Sequence, residues 1–166
     1  RIWIGTGNGV VVLDPANKSL FRLRSDGNLP MRILSNLVYS ILEDSDGNIW
    51  IATSQGLNRL DPFLETMIEY YNDPNDSNSL GNNFTISLFE DVYDNIWIGT
   101  GTGLNRFAKK DSTFYYYSRA NGLPSNIIYD IIGDKANNIW FSTGSGFASI
   151  EPRDVDQKPF IVIDKL

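Results

Sequence analysis

A short motif centred on tryptophan recurs four times and constrains the fold of this 166-residue chain more than any other feature. Each tryptophan is followed three residues later by threonine and six residues later by glycine. The tryptophans are Trp3, Trp50, Trp97 and Trp140, and the glycines are Gly9, Gly56, Gly103 and Gly146. Self-similarity at a period of 40–50 residues is typical of repeat architectures. The sequence therefore predicts four copies of one structural unit.

Each unit is predicted to contain four strands, A to D. Strand A, at 37–42, 84–89 and 127–132, is apolar at nearly every position, so both of its faces are expected to be buried. Turns rich in Asp, Asn and Gly lead to strand B, which carries the tryptophan. A two-residue turn then leads to strand C, and an aromatic strand D follows at 67–71 and 114–117. Three of the B–C turns begin with glycine, as a type II′ turn requires: Gly7, Gly101 and Gly144.

These units predict an all-β fold, a β-propeller made of four-stranded antiparallel blades. The chain holds about three and a half blades, and the tryptophans are expected to wedge between neighbouring blades. Closed propellers have 4–8 blades, so we expect a fragment of a larger, seven-bladed ring. The open blade faces predict that the isolated segment aggregates or self-associates. The predicted units are an incomplete blade at 1–32, blades at 33–79 and 80–122, a last blade at 123–152, and an outer strand or lead into a β-sandwich at 153–166.

Composition argues against several kinds of chemistry. The chain has no cysteine and no histidine, so it lacks the commonest general base and the usual transition-metal ligands. Its formal net charge is −6, which disfavours nucleic-acid binding. No apolar run is long enough to cross a bilayer, so membrane contact by this segment is not expected. The sequence predicts no catalytic residue, no metal site and no cofactor.

Three local motifs invite functional interpretations that their context does not support. The glycine-rich segments 5–9 and 99–103 precede strands, whereas phosphate loops precede a helix. Segment 44–48 has its glycine in the wrong place for a calcium loop, so it is predicted to be a turn. Glu43 and Glu90 each precede an aspartate, but adjacent strand residues point to opposite faces, which does not suit a glycosidase pair.

The repeat resembles the two-component regulator propeller family. The resemblance rests on the motif at 46–62 and on the connectors at 72–83 and 122–128, and it covers essentially the whole chain. It implies the periplasmic sensor region of a hybrid histidine kinase, with an oligosaccharide as a ligand. It also implies that the partners are the rest of the propeller, a following sensor domain and a second copy in a homodimer. The family's motif is structural, so it supplies no ligand residue.

The predicted binding positions are instead chosen by geometry. The D-to-A connectors and the B–C turns should share one rim of the blades, where propeller ligands commonly lie. The candidates are Arg32, Gln55, Asn82, Thr102, Ser125 and Ser145. The tyrosines at 70–71 and 115–117 are expected to pack under neighbouring loops. The alternatives are a purely structural or protein-interaction scaffold and, with less support, a propeller lyase or glycosidase.

Overall fold

The computed structural model describes residues 1–28, 31–61, 63 and 65–152, together with the backbone of 161–163. Apart from a short 3₁₀ turn at Arg119–Asn121, the described residues form strands and their connections. The fold is all-β, as predicted. The first sheet, blade 1, has three strands: β1 (Ile2–Thr6), β2 (Gly9–Asp14) and β3 (Ser19–Leu23).

The other sheets each contain four antiparallel strands in sequential order, so each is a complete blade of the predicted kind. Blade 2 comprises β4 (Val38–Glu43), β5 (Ile49–Thr53), β6 (Gly56–Asp61) and β7 (Thr66–Tyr70). Blade 3 comprises β8 (Thr85–Glu90), β9 (Asn95–Thr100), β10 (Leu104–Ala108) and β11 (Thr113–Tyr117). Blade 4 comprises β12 (Ile128–Gly133), β13 (Ile139–Thr143), β14 (Gly146–Ile150) and β15 (Ile161–Ile163).

The tail predicted as an outer strand or a lead into another domain, 153–166, lies mostly outside the described residues. Its segment Ile161–Ile163 pairs with β14 in antiparallel register. The first strands of the complete blades, β4, β8 and β12, contact one another in succession. These strands therefore mark the inner edge of the array, and the fourth strands mark its outer edge.

Three hydrophobic clusters fill the three interfaces between neighbouring blades. Ile49 and Ile51 pack against blade 1, whereas Trp50, between them, packs with Phe107 of blade 3. Successive strand residues point to opposite faces, so each tryptophan faces the following blade and its neighbours face the preceding one. Trp50 and Trp97 are fully buried, which is the predicted wedge; Trp3 and Trp140 are only half-buried.

A repeated aspartate organises the turn between the first two strands of each complete blade. Its Oδ2 accepts a hydrogen bond from the tryptophan indole Nε1, at 2.7–2.8 Å in all three blades. Its Oδ1 accepts from the backbone N–H of the asparagine four residues later. The aspartates are Asp44, Asp91 and Asp134. The segment considered as a calcium loop is therefore a turn, and the described residues contain no group of three acidic side chains arranged to hold a metal.

The same turn requires a left-handed residue three positions before each tryptophan. That residue is Gly47 at φ 82°, Asp94 at φ 60° and Asn137 at φ 64°. Gly, Asp and Asn are the residues that tolerate this conformation at least cost. The turn predicted from composition is thus confirmed at all three sites.

The type II′ prediction for the B–C turns is wrong. Gly7, Gly101 and Gly144 do not have positive φ; in blades 1, 2 and 4 the residue with positive φ is the closing glycine, which is Gly9 at 94°, Gly56 at 137° and Gly146 at 126°. The repeated threonine explains the difference, because Thr53 Oγ1 donates to the Gly56 carbonyl at 2.8 Å and accepts from the backbone N–H of the second turn residue. The other three blades repeat the bond to the carbonyl, at 2.7–2.9 Å. The threonine thus closes the turn without a glycine at its first central position.

The prediction that both faces of strand A are buried is also wrong in part. Leu37 and Tyr39 are each about half exposed, and Tyr129 is 54% exposed. These side chains lie at the inner edge, where a first strand has no further strand beside it in its own sheet. Edge strands of a curved array are covered on fewer sides than central strands, which sequence periodicity does not reveal.

Candidate functional site

The connectors that join the last strand of one blade to the first strand of the next (D-to-A) and the turns between the second and third strands of a blade (B–C) meet on one rim of the blades. The backbone N–H of Ser54 donates to the Leu37 carbonyl at 3.1 Å, and that of Gly101 donates to the Phe84 carbonyl at 3.0 Å. The bond from Gly144 to Ile127 repeats the arrangement in blade 4 at 3.3 Å. Each turn tip is therefore held beside the start of its own first strand. We call this edge the rim.

Repeated asparagines hold the connectors in place. Fourteen residues before each of the last three tryptophans, an asparagine Oδ1 accepts from the backbone N–H of the second residue of its connector, at 2.6–2.8 Å. These residues are Asn36, Asn83 and Asn126. Two further asparagines, buried in the third strands of blades 2 and 3, accept from backbone N–H groups near the end of the connector: Asn58 from Leu34 and Asn105 from Gly81. The connectors entering blades 2 and 3 are thus held at two points.

Three of the predicted binding residues lie at turn tips. Gln55, Thr102 and Ser145 are exposed, one in each complete blade. Their backbone N–H groups are bonded to the turn threonines, and their exposed side chains make no hydrogen bond to another residue in the described part of the chain. They are available to a ligand that lies across the rim.

The other three predicted residues already have structural partners. Asn82 Oδ1 accepts from the Phe84 N–H at 3.0 Å, and Ser125 Oγ accepts from the Ile127 N–H at 3.4 Å. Arg32 is ion-paired with Glu69 of β7 at 3.3 Å, so its guanidinium is directed to the outer strand. The structure brings Asn82 close to the Thr102 turn and Ser125 close to the Ser145 turn, and it separates Arg32 from both.

Exposed apolar side chains at the inner edge of the rim were missed by sequence reasoning. We call them the inner-rim cluster: Leu37, Tyr39, Phe84, Ile127 and Tyr129, each 39–54% exposed. Tyr39 of blade 2 and Phe84 of blade 3 meet edge to face at 5.2 Å between ring centroids. A signal for them was present, since the residue thirteen positions before the last three tryptophans is always large and apolar.

Two outer-strand tyrosines pack on the tryptophans of their own blades, whereas Tyr71, Tyr115 and Tyr116 are 36–57% exposed, so packing under neighbouring loops is not their common role. Tyr70 stacks on Trp50 at 5.8 Å between centroids, and Tyr117 stacks on Trp97 at 6.1 Å. Tyr116 donates its hydroxyl to the Thr102 carbonyl at 2.6 Å, and the Arg106 guanidinium lies 4.3 Å from the Tyr115 ring. These rings support the blades and the turn rather than forming an open platform.

Charged groups gather at the opposite end of the blades, between blades 2 and 3. Lys109 Nζ lies 2.7 Å from Glu90 and 2.8 Å from Asp46, and its side chain is 11% exposed. Burial lowers the pKa of Lys109, but the hydrogen bonds to Asp46 and Glu90 outweigh it and raise that pKa above its usual value. Glu90, considered above as half of a carboxylate pair, is thus occupied in an ion cluster.

Comparison with known proteins agrees with this architecture. Three segments match the two-component regulator propeller family: 32–55, 79–102 and 122–145. No curated protein matches the chain. No helix in the described part of the chain has the length and hydropathy needed to span a membrane.

Solved extracellular domains of two hybrid two-component systems resemble the chain. The extracellular domain of the hybrid two-component system BT4673 from B. thetaiotaomicron has a TM-score of 0.78 and 27% identity, covering 97% of this chain and 23% of that one. The corresponding domain of BT3049 from the same organism has a TM-score of 0.77 and 26% identity, covering 93% and 21%. This chain therefore spans less than a quarter of the length of these two structures.

A lyase with a propeller-like fold is a more distant neighbour. Virginiamycin B lyase from Staphylococcus aureus has a TM-score of 0.70 at 16% identity, covering 98% of this chain and 51% of the enzyme. Identity at that level shows the fold alone. The motif matches, the four-strand units and the likeness to the two extracellular domains agree with one another. The chain therefore contains three two-component regulator propeller repeats within its propeller-like array of blades.

Proposed function

We propose that this chain is a ligand-sensing segment of the extracytoplasmic, periplasmic part of a two-component regulator, and that the rim binds an oligosaccharide. The inner-rim cluster carries the proposal. It places exposed aromatic rings of neighbouring blades next to polar turn tips whose backbones are fixed. Flat apolar surfaces beside a few well-placed polar groups suit the mixed apolar and hydroxyl surface of a sugar ring.

The net charge of the chain favours one class of oligosaccharide over another. The chain has a net charge of −6, and the only cation among the six predicted rim residues, Arg32, is paired with Glu69. An acidic surface repels acidic sugars at long range. Neutral oligosaccharides are therefore the favoured ligands, with Tyr39 and Phe84 providing the stacking surface and Gln55 and Thr102 the hydrogen bonds.

Binding of neutral oligosaccharides to the chain, measured by titration calorimetry over a panel of linkages, tests the proposal. The double variant Tyr39→Ala/Phe84→Ala should weaken the binding at least tenfold. A matched control is Tyr71→Ala, because Tyr71 is similarly exposed but follows an outer strand. Analysis of the same samples by chromatography should show uncleaved sugars, since the segment is proposed to bind without catalysis. Unchanged affinity in the double variant, or turnover of the sugar, would contradict the proposal.

A purely structural scaffold is the second candidate function. It is favoured by the use of Asn82 and Ser125 in local turns, which leaves fewer free polar side chains on the rim than predicted. In that case no panel member binds, and the rim variants change only stability.

A further inference from the structure

The two junctions between complete blades differ at the rim, although both are built from the same repeat. At the junction of blades 2 and 3, the exposed rings of Tyr39 and Phe84 meet edge to face. The equivalent positions at the junction of blades 3 and 4 hold Ile86 and Ile127. A requirement of the repeat itself would recur at both junctions. The aromatic pair therefore serves a purpose that the blade fold alone does not require.

A β-bulge explains how Tyr39 reaches this position. The pairing of β4 with β5 shifts register between Val38 and Ser40, which leaves Tyr39 as the extra residue. The first strands of blades 3 and 4 shift register at the same place. Bulges redirect a side chain away from the regular alternation of a strand. The bulge in β4 thus exposes Tyr39 at the inner edge of the rim, where it meets Phe84.

A buried hydroxyl beside the aromatic pair joins the two blades. Thr85 is fully buried, and its Oγ1 accepts a hydrogen bond from the Thr53 N–H at 2.8 Å. The same hydroxyl has two carbonyl acceptors, that of Thr53 at 2.9 Å and that of Gly56 at 3.0 Å. Thr53 and Gly56 are the two ends of the turn that carries Gln55. At the junction of blades 3 and 4 the equivalent residue is Ile128, whose side chain forms no hydrogen bonds.

Short links connect this hydroxyl to both rings of the pair. Phe84 directly precedes Thr85, and the planar peptide bond between them limits how far one can move without the other. On the blade 2 side, Thr53 pairs with Val38, the residue before Tyr39. Hydrogen bonds are directional, whereas apolar packing is not. The Thr85 hydroxyl therefore sets the position of one ring relative to the other.

We propose that Thr85 is a positioning residue for one binding subsite, which lies across the junction of blades 2 and 3 and does not recur at the junction of blades 3 and 4. This inference deepens the proposed function and rests on it for the class of ligand. A ligand that contacts Tyr39 of one blade and Phe84 of the next binds only when the two blades are held together. Binding therefore stabilises this junction, and loosening the junction weakens binding.

Nuclear magnetic resonance of the ligand-free chain tests the positioning role without any sugar. Nuclear Overhauser effects between the rings of Tyr39 and Phe84 report their contact. Thr85→Val should lose most of this intensity while circular dichroism shows a folded chain, and Thr85→Ser, which keeps the hydroxyl, should retain it. Thr85→Ala is a second variant without the hydroxyl, so the result does not depend on the folding of one variant. Ile128→Val, at the equivalent position in blade 4, is the matched control and should leave the intensity unchanged.

Retention of the full ring contact in the folded variants without the hydroxyl would overturn the positioning role. An equal loss in Ile128→Val would overturn it as well, because the effect would then follow from lower stability alone.

Titration calorimetry with maltohexaose and cellohexaose, two neutral oligosaccharides, tests the subsite. If Thr85→Val lowers the fraction of chains with the correct junction to about one tenth, the affinity for the sugar that binds falls about tenfold. Thr85→Ser should restore the affinity, Ile128→Val should not change it, and one molecule should bind per chain. Two independent molecules per chain, or unchanged affinity in Thr85→Val, would overturn the proposed subsite. Failure of both sugars to bind would count against the proposed function, and the ring contact would then decide the role of Thr85.

Discussion

The interface between blades 2 and 3 and the interface between blades 3 and 4 have the same strand geometry but different chemistry. At the first, Thr85 Oγ1 donates to the Thr53 carbonyl at 2.9 Å and accepts from the Thr53 N–H at 2.8 Å. At the other end of the same interface, Glu90 and Lys109 of blade 3 bind Ser45 and Asp46 of blade 2. Two directional polar contacts therefore fix how blade 2 sits on blade 3.

Apolar residues occupy the equivalent positions in the second interface. Ile128 replaces Thr85, Gly133 replaces Glu90 and Pro152 replaces Lys109. Ile128 is buried in the cluster around Trp97, and Phe89 lies so close to Gly133 that an added Cβ would be 2.5 Å from its ring. Apolar packing is less directional than hydrogen bonding. The comparison indicates that blade 4 can shift or separate from the array more readily than blades 2 and 3 can separate from each other.

The largest effect is expected from removing the tryptophan that fills the apolar interface. Trp97→Ala should destabilise the chain by about 3–5 kcal/mol, the range for large aromatic truncations in a core. Trp140→Ala should cost far less, because Trp140 is only half-buried, whereas Trp97 is fully buried. Urea melts measure both. A loss under about 1 kcal/mol for Trp97→Ala would be incompatible with the wedge.

Removing the buried hydroxyl tests the polar contact near the rim. Thr85→Val keeps the side-chain volume and removes the hydrogen bonds to the buried Thr53 backbone N–H and carbonyl, so we expect a loss of about 1–3 kcal/mol. Ile128→Val at the equivalent position should cost about 0.5–1.5 kcal/mol. Thr113→Val, which loses only a long bond to the Asp111 carbonyl, is the control. Equal losses for Thr85→Val and Thr113→Val in urea melts would remove the proposed role of Thr85.

The ion cluster at the opposite end should contribute less. Lys109→Met and Glu90→Gln are each expected to cost about 1–2 kcal/mol, and the double variant should show a coupling energy of about 0.5–3 kcal/mol in a double-mutant cycle. Salt weakens ion pairs, so 1 M NaCl should reduce the difference between Lys109→Met and the unaltered chain. Additive losses with no salt dependence would show that the cluster does not hold the blades together.

The smallest effect concerns pH at blade 4. The indole N–H of Trp140 and the amide of Asn138 lower the pKa of Asp134 to about 2. Because this pKa is lowered, Asp134 stabilises the fold when the pH is above its ordinary pKa, near 4. This stabilisation is lost as the pH falls toward 2. The Trp140 indole resonance should therefore titrate near pH 2, and Asp134→Asn should abolish that step. A midpoint near pH 4 would contradict the hydrogen-bonded arrangement.

Much of the fold was predictable because the repeat imposes it locally. The turn aspartates, the left-handed positions such as Gly47 and the strand order all follow from motifs within one unit. The predicted type of the B–C turns is wrong because a hydrogen bond from the turn threonine, such as Thr53, closes the turn. Residue propensities for turn types do not take such side-chain bonds into account. The inner-rim cluster was missed for a different reason: an apolar first strand indicates burial on both faces unless the curvature of the array is known.

The candidate site was predictable only in outline. The shared rim follows from antiparallel topology, and the exposed tips Gln55, Thr102 and Ser145 lie on it. The side-chain partners of Arg32, Asn82 and Ser125 come from neighbouring elements or from turn geometry, which spacing alone does not specify. Exposure of Tyr39 and Phe84 depends on how blades 2 and 3 meet, a property of the assembled array.

Native-state hydrogen exchange, resolved by peptide mass spectrometry, tests the difference between the two interfaces most directly. Amides of β5, β6, β9 and β10 should exchange through a common opening of high free energy, because polar contacts join blades 2 and 3. Amides of β13 should exchange through a separate opening of lower free energy. Thr85→Val/Lys109→Met should lower the protection of blade 2 towards that of blade 4. Equal protection in β9 and β13 of the unaltered chain, or no change in blade 2 in that double variant, would contradict the account.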